Sequence, residues 1–209
     1  MSKITLKPGE MLSPIPAVMV SCGTMEESNI ITIGWTGIIN SKPPMTYISV
    51  KPERYSHDII EKGGEFVINL VNEDLCFAMD HCGVASGAKE DKFSAMKLTK
   101  EACDKVSCPM IAEAPVSIEC RVTEVKHLGS HDMFMAEIVA VHADEKLMKE
   151  SGRLALNEAN LVAYVHGEYF GLKARRLGKH GYSVMKPKTA KKNRQQGKSY
   201  GGKKAHFSK

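Results

Sequence analysis

Long apolar runs and the marks of export are both missing from this chain of 209 residues. The longest apolar runs, MTYISV at 45–50 and FVINLV at 66–71, are far shorter than the roughly 20 residues that a helix needs to cross a bilayer. The N-terminal stretch MSKITLKPGE has no apolar core of the kind found in signal peptides. These absences disfavour membrane-spanning and exported proteins and predict a cytoplasmic location.

Cysteine pairs are also missing. The six cysteines form no CxxC pair and lie inside apolar or helical patterns, so they predict reduced, buried thiols rather than a disulfide framework. Cys76, His81 and Cys82 are close in sequence, but their intervals are not those of a zinc knuckle and no second pair completes four ligands. No metal site is therefore expected.

Two common nucleotide-binding signatures do not occur. The sequence contains no GxGxxG fingerprint and no P-loop. A Rossmann domain is therefore not expected, and neither is a P-loop nucleotidase.

Acidic residues are absent from the C-terminal part of the chain. Of the 29 Lys and Arg residues, 13 lie in residues 172–209, which contain no Asp or Glu, so the remainder has 16 basic against 24 acidic residues. After residue 185 there are almost no apolar residues to support a core. We therefore predict a folded domain at 1–185 and a basic, disordered tail at 186–209. Such a tail could hold nucleic acid or an acidic partner, but a solubilising extension is at least as good an interpretation.

The body of the chain has the composition of a strand-rich domain, with 43% hydrophobic residues. Runs rich in Val, Ile and Thr, bounded by turn residues, predict six strands at 18–23, 30–39, 46–50, 66–71, 116–129 and 133–144. Shorter helical patterns occur at 57–66, 73–83 and 90–96. Strands follow one another more often than they alternate with helices, which predicts a mainly β, closed or partly open antiparallel barrel with short peripheral helices.

One helix start combines groups that suit an anion. Arg54, Tyr55, Ser56 and His57 follow the third predicted strand and open a helical pattern. A helix start exposes unpaired N–H groups, and Arg adds a planar fork of donors that fits two phosphate oxygens. The alternative is that Ser56 only caps the helix and Arg54 is a solvated surface charge.

Several motifs in order resemble a known family. They are a strand ending in WTG, the turn SKPP, the strand YISV, the helix start PERYSHDII, then EFVINL, CGVASGAKEDKF and GSHDMFMAEIVAV. Over residues 12–185 the chain resembles the flavin reductase-like, FMN-binding split-barrel family, and within it the flavoredoxin-like branch. The resemblance implies a six-stranded antiparallel Greek-key split barrel and a homodimer with FMN at its interface. It also implies either an NAD(P)H-dependent flavin reductase or a flavoredoxin-type electron carrier; a barrel that acts only through its basic tail is the alternative.

The resemblance also assigns cofactor-binding residues. It implies that Arg54, Ser56 and His57, with Tyr55 alongside, hold the FMN phosphate. The flavin ring would lie against the second strand, at Trp35, Thr36, Gly37 and Ile38. The residue types agree, since Gly permits close backbone approach and the single Trp could cover an apolar ring. A lone Trp on a strand is otherwise more often a core or interface residue.

Further site residues come from the later motifs. The resemblance implies that His131 lies near the flavin, where it would contact the nicotinamide or move a proton; an exposed turn residue is the alternative. Lys92 and Phe93 would approach the phosphate or cover the flavin, although Lys92 could equally pair with Glu90 or Asp91. Two residues near the ring-binding strand, Asn29 and Thr32, could line the same pocket or serve a hairpin turn. Few catalytic side chains are expected, because a flavin itself takes a hydride from NADH or NADPH, or electrons from a partner protein.

Overall fold

The computed structural model describes residues 2–172, 177–178 and 180–186. The chain divides into two compact units, Met1–Leu172 and Lys173–Lys209. Of the second unit, the described residues contain one short 3-10 helix, Tyr182–Val184. The boundary after residue 185 stays a prediction, and the predicted tail lies, apart from Lys186, outside the described residues. No helix among the described residues is long and apolar enough to span a bilayer.

The described part of the first unit contains twelve strands and three α-helices. The strands are β1 (Ile15–Pro16), β2 (Val18–Gly23), β3 (Ser28–Ile33), β4 (Thr36–Ser41), β5 (Pro44–Val50), β6 (Glu65–Leu70), β7 (Lys100–Glu101), β8 (Met110–Ile111), β9 (Val116–His127), β10 (Asp132–Ala143), β11 (Val162–Val165) and β12 (Glu168–Gly171). The helices are α1 (Tyr55–Gly63), α2 (Cys76–Val84) and α3 (Lys92–Ala95). Short 3-10 helices occur at Glu73–Leu75, Glu145–Leu147 and Leu156–Glu158.

Seven strands form one antiparallel sheet in the order β3-β2-β6-β9-β10-β5-β4. Its two edge strands, β3 and β4, are consecutive in the chain and run in the same direction. The sheet therefore curls until its edges meet at residues 34–35, where the chain passes from one edge to the other. This arrangement agrees with the predicted mainly β, antiparallel barrel.

The second predicted strand, at 30–39, is interrupted. It forms β3 and β4, so the main sheet has seven strands where six were expected. At the break Gly34 lies against Ile15, whose Cδ1 would be 2.9 Å from a Cβ placed there, and Trp35 O accepts a hydrogen bond from Ser49 N at 2.9 Å. The other five predicted strands correspond to single strands, with ends shifted by at most a few residues.

The barrel interior is filled by alternate residues of these strands. Its fully buried members include Val20, Ile48, Phe66 and Phe134. Ile60 of α1 belongs to the same cluster, so burial of this side chain holds the helix against the barrel. The helix ends where the Gly-Gly pair predicts, because Gly64 adopts a left-handed conformation and its N–H bonds Ile60 O at 2.9 Å.

A small second sheet, β1-β11-β12, stands beside the barrel. Its hairpin turns at His166 and Gly167, which both have positive φ. This hairpin was not predicted from the sequence. The signal was present, since VAYV and EYFG flank a two-residue turn whose second residue is Gly.

Candidate functional site

Two adjoining cavities open between the barrel edge, the start of α1 and the loop after α2. The larger, here called the apolar cavity, has a volume of about 240 Å³ and the smaller, the polar cavity, about 80 Å³. Arg54 and Ile31 line both. The apolar cavity is also lined by Ile15, Ala17, Thr32, Ile33, Gly34, Trp35, Ser49, Val50, Lys51, His131, Tyr164 and Tyr169. The polar cavity is also lined by Asn29, Glu53, Tyr55, Ser56, Cys82, Gly83, Ala85, Ser86, Gly87 and Lys92.

The start of α1 faces the polar cavity without a cap. Arg54, not Ser56, is the N-cap residue, and its side chain makes no capping hydrogen bond to the backbone N–H groups of the first turn. Within the described residues the guanidinium of Arg54 makes no hydrogen bond or ion pair. The uncapped N–H groups and this free fork of donors together make a positive corner that suits an anion.

Ser56 is part of the first helical turn and is buried. Its Oγ accepts a hydrogen bond from Asn29 Nδ2 at 2.8 Å. Asn29 is in turn covered by Gly87, where an added Cβ would come within 2.2 Å of the Asn29 Oδ1 atom. Residue 87 must therefore be glycine for the loop after α2 to close over Asn29 and Ser56.

Lys92 places a second positive charge in the polar cavity. Although only 3% exposed, it donates to Ile30 O at 2.8 Å and Cys82 O at 2.7 Å. An ammonium group has three donors, so one N–H remains for a ligand. Burial, aided by the charge of Arg54, lowers the pKa of Lys92 below its ordinary value against the opposing effect of Cys82 and Glu90.

The alternative surface pairing of Lys92 does not occur. Glu90 pairs with His81 at 2.7 Å, and Asp91 caps α3 by accepting from Phe93 N at 3.0 Å. Phe93 itself is buried in the core cluster beside α2 and lines neither cavity.

Trp35 and His131 form one wall of the apolar cavity. Their ring centroids are 4.3 Å apart with an angle of 37° between the planes. His131 Nδ1 lies 3.1 Å from Ser130 Oγ, and within the described residues Nε2 makes no hydrogen bond. Partial burial lowers the pKa of His131, and the charge of Lys51 lowers it further, so the imidazole is neutral at pH 7.

Thr32 is tied to α2. Its Oγ1 donates a short hydrogen bond to Met79 O, and Gly83 packs closely against its side chain. The hydroxyl proton is therefore used within the protein, while the residue lines the apolar cavity. Its role in binding stays a prediction.

Besides Phe93, four of the residues proposed from the sequence lie outside both cavities. Thr36, Gly37 and Ile38 are on the edge strand β4, where Thr36 Oγ1 donates to Tyr47 O at 2.6 Å and Gly37 packs against the Tyr47 ring. His57 is buried with both ring nitrogens beside carboxylates, Nε2 at 2.9 Å from Asp132 and Nδ1 at 3.2 Å from Asp58. The roles of these four residues in binding stay predictions.

Two further residues that line the apolar cavity were not proposed from the sequence. Tyr164 and Tyr169 of the small sheet have ring centroids 5.6 Å apart. Tyr169 OH donates to Asp80 on α2 at 2.8 Å, and burial followed by this contact raises the pKa of Tyr169 to about 12. The two tyrosines could have been found only after the β11–β12 hairpin had been recognised.

The cysteines are all free thiols. Cys82 lines the polar cavity, and its burial raises its pKa to about 11, so it is protonated at neutral pH. Two clusters with the composition of a metal site occur among the described residues, His57 with Asp58 and Glu61, and Asp104 with Glu119 and His142. In each, the histidine is already paired with a carboxylate.

These features suit a ligand with one phosphate and one planar ring. Arg54, Lys92 and the α1 start supply donors at one end, and the rings of Trp35 and two tyrosines supply apolar surface at the other. The two ends join at Arg54. A single elongated molecule can therefore occupy both cavities.

Comparison with known proteins gives consistent matches. A family model described as flavin reductase like domain matches residues 11–173. An uncharacterised protein of Archaeoglobus fulgidus is 32% identical over 136 residues, which are 65% of this chain and 76% of that protein. The NADH:riboflavin 5'-phosphate oxidoreductase of Streptomyces pristinaespiralis is 23% identical over 136 residues, 65% of this chain and 74% of that protein.

A solved structure extends the similarity to the fold. The flavoredoxin of Desulfovibrio vulgaris (Miyazaki F) matches with a TM-score of 0.81 and 26% identity, covering 88% of this chain and 100% of that one. This likeness confirms the fold class that the sequence predicts.

Proposed function

The chain belongs to the flavin reductase-like domain family, and on that premise we propose that it is an oxidoreductase that binds FMN across the two cavities. The observation that carries the proposal is that Arg54 lines both the polar and the apolar cavity. A molecule whose phosphate lies beside Arg54, Lys92 and Ser56 thus has its ring directed along β3 toward Trp35.

One group of residues binds the phosphate and another binds the ring. Arg54 and the third N–H of Lys92 bind and neutralise the phosphate, and Asn29 fixes the Ser56 hydroxyl beside it. The backbone at 31–35 and the rings of Trp35, Tyr164 and Tyr169 orient the isoalloxazine and exclude water. Bound FMN supplies hydride and single-electron transfer, so the protein needs few catalytic side chains.

His131 is the residue that we propose to move a proton. Its Nδ1 contacts Ser130, so its neutral imidazole presents Nε2 to the apolar cavity. Because its pKa is lowered, it accepts a proton there at neutral pH without being already charged. We further propose NADH or NADPH as the electron donor, as the name of the Streptomyces pristinaespiralis relative suggests.

An FMN titration of the purified protein tests the cofactor. We expect flavin absorption bands and tighter binding of FMN than of riboflavin, because only FMN has the phosphate. Arg54→Ala should weaken FMN binding by roughly tenfold to hundredfold, since a hydrogen bond to a charged group contributes about 1.5–3 kcal/mol. It should not change the unfolding midpoint, because Arg54 is exposed and its side chain pairs with none of the residues that the structure describes.

Arg153→Ala is the matched control, since Arg153 is an exposed arginine away from both cavities. It should leave FMN affinity unchanged. A colourless protein that takes up no added FMN would overturn the proposal, and unchanged FMN affinity in Arg54→Ala would overturn the phosphate assignment.

A one-electron carrier is the second candidate, favoured by the likeness to a flavoredoxin. Anaerobic assays separate the two functions. A reductase bleaches its flavin with NADH or NADPH at a rate that His131→Gln lowers. A carrier is reduced slowly by either nucleotide but rapidly by a small chemical reductant.

We also propose a cytoplasmic homodimer with FMN at the interface. Exposed apolar side chains near the apolar cavity support a partner surface, among them Trp35, Ile38 and Ile39. Light scattering during size-exclusion chromatography tests the dimer. A monomer that binds FMN normally would contradict it.

A further inference from the structure

Side-chain contacts link the start of α1, next to Arg54, to the start of β10, next to His131. His57 Nε2 lies 2.9 Å from Asp132 Oδ2, and the other Asp132 oxygen lies 2.9 Å from His127 Nδ1. His57 is in the first turn of α1, and Asp132 is the first residue of β10. Both are buried, whereas His127 at the end of β9 is largely exposed.

His57 is fixed from three sides. Besides Asp132, its Nδ1 lies 3.2 Å from Asp58 Oδ1, and its ring packs edge-on against Phe134 at a centroid distance of 5.3 Å. Both ring nitrogens are therefore engaged away from the polar cavity. His57 has no nitrogen left for direct contact with an anion.

The two partners lie next to site residues. Asp132 directly follows His131, and His57 directly follows Ser56 and comes three residues after Arg54. The strand pairing of β10 with β5 and β9 begins at Asp132, so it leaves His131 outside the ladder and does not restrain the first turn of α1. The side-chain bond from His57 to Asp132 supplies that restraint.

We propose that Asp132 and His57 are a positioning pair that holds the start of α1 in fixed register with the His131 turn. Resting on the proposed function, this pair sets the spacing between the phosphate end and the ring end of bound FMN. Neither residue touches the flavin. Each acts through its neighbour in the chain.

The hydrogen bond between His57 and Asp132 is strong because its acceptor is a buried, ionised carboxylate. Hydrogen bonds from His127 and His57 lower the pKa of Asp132 despite its burial, so its carboxyl is ionised at neutral pH. A hydrogen bond to a buried carboxylate is shorter and stronger than one between neutral groups. Hydrogen-bonded supports of this kind orient the residues that bind a ligand.

Trp35 offers a readout that needs no flavin. It is the only tryptophan of the chain and it stacks on His131, so protonation of His131 should quench its fluorescence. Lys51 and Glu53 are the charged groups that affect His131. In the full-length protein without FMN, we expect quenching on acidification with a midpoint below 6.5, the ordinary value for His. His131→Gln should abolish it.

The test compares three further variants by this titration and by FMN affinity. Asp132→Asn and His57→Gln should each lose most of the Trp35 quenching and raise the FMN dissociation constant about tenfold, which corresponds to about 1.4 kcal/mol. His127→Gln is the control, because it removes the exposed partner of Asp132 and leaves the link to α1 intact. It should behave as the wild type. Circular dichroism confirms folding, and if Asp132→Asn does not fold, His57→Gln decides alone.

Two results would overturn the positioning pair. One is wild-type quenching and FMN affinity in His57→Gln. The other is equal loss in His127→Gln, which would assign the effect to the β9–β10 end and not to α1. If neither the wild type nor any variant binds FMN, the proposed function is wrong. The Trp35 titration still tests the link between His57 and the His131 turn in that case, because it needs no flavin.

Discussion

At the scale of single residues, the two cations of the polar cavity are held in different ways. Arg54 is exposed, and its guanidinium has no partner among the described residues, so its charge is available to a ligand in the cavity. Lys92 is buried and also bonds the carbonyls of Ile30 and Cys82. Substituting Lys92 should therefore affect both binding and folding, whereas substituting Arg54 should affect binding alone.

Lys92→Met tests this difference. Loss of the ammonium leaves two buried carbonyls unpaired, which costs about 1–3 kcal/mol for each group, and it removes a phosphate donor. We expect a lower urea midpoint together with weaker FMN binding. Lys89→Met on the exposed loop is the control and should change neither. Weaker binding with unchanged stability would contradict the dual role.

The raised pKa of His57 predicts how the stability of the protein depends on pH. Burial lowers its pKa, but the hydrogen bonds to Asp132 and Asp58 outweigh burial and raise it above the ordinary value. A raised pKa in the folded state gives stability that is complete below about 6.5, the unfolded value, and is lost as the pH rises through the folded pKa. The melting temperature of wild type should thus exceed that of His57→Gln most at mildly acid pH.

Titration of Asp132 changes the stability in the opposite direction with pH. Its lowered pKa gives stability that is lost only as the pH falls through the folded value, below the ordinary 3.8. The advantage over His57→Gln should therefore be largest between the two titrations and shrink in alkali. Melting curves at several pH values measure it. An advantage that grows with pH would contradict the assignment.

At the scale of elements, the polar cavity depends on how closely three segments approach. The start of α1 carries Ser56, β3 carries Asn29, and the loop after α2 closes over both at Gly87. The small sheet is tied to α2 in the same region by the bond from Tyr169 to Asp80. Helix α2 thus anchors elements that flank both cavities.

Gly87→Ala should disturb this closure. The new Cβ would approach the Asn29 side chain to 2.2 Å, which must displace Asn29 and break its bond to Ser56. We expect FMN affinity to fall about tenfold, as for the loss of about 1.4 kcal/mol. Calorimetric titration with FMN measures it.

Gly63→Ala is the matched control. A Cβ at residue 63 meets no atom within 4 Å, and alanine favours the helix by about 0.5–1 kcal/mol. It should leave FMN affinity unchanged and not lower stability. Equal affinities of Gly87→Ala and wild type would show that the loop does not need this contact.

At the scale of the whole molecule, a buried carboxylate attaches the 100–111 segment to the barrel. Glu119 is fully buried, and it accepts hydrogen bonds from the backbone N–H groups of Asp104, Lys105 and Val106 and a short contact from His142. These hydrogen bonds outweigh burial and lower the pKa of Glu119, so it remains ionised. The segment it anchors packs against Val67 of β6 and lines neither cavity.

Glu119→Gln should destabilise the protein without weakening FMN binding. An amide can replace only part of the acceptor capacity, and each hydrogen bond to a charged group that is lost costs about 1.5–3 kcal/mol. Urea unfolding and FMN titration of the same sample measure both effects. Glu124→Gln, an exposed position on the same strand, should be neutral. Unchanged stability would contradict the anchoring role.

The positive corner and the helix that carries it were predictable from local sequence. Arg54, Ser56 and the Gly63–Gly64 stop define α1 through short-range rules, and strand alternation defines the barrel. His57 could not be assigned in this way. It follows Ser56 in the same motif, yet its partner Asp132 is 75 residues away, so only the folded chain decides that it faces a carboxylate and not the cavity.

The sequence by itself determined the strand-rich class, the family and the residue types that can hold a phosphate, because these depend on patterns within a few residues. Tertiary structure alone decided which of those residues share a cavity. It placed Lys92 beside Arg54 in one cavity, brought Tyr164 and Tyr169 to the cavity that Trp35 lines, and set residues 36–38 on an edge strand. The physical reason is that cavities form where distant segments pack, and no local pattern records which segments will meet.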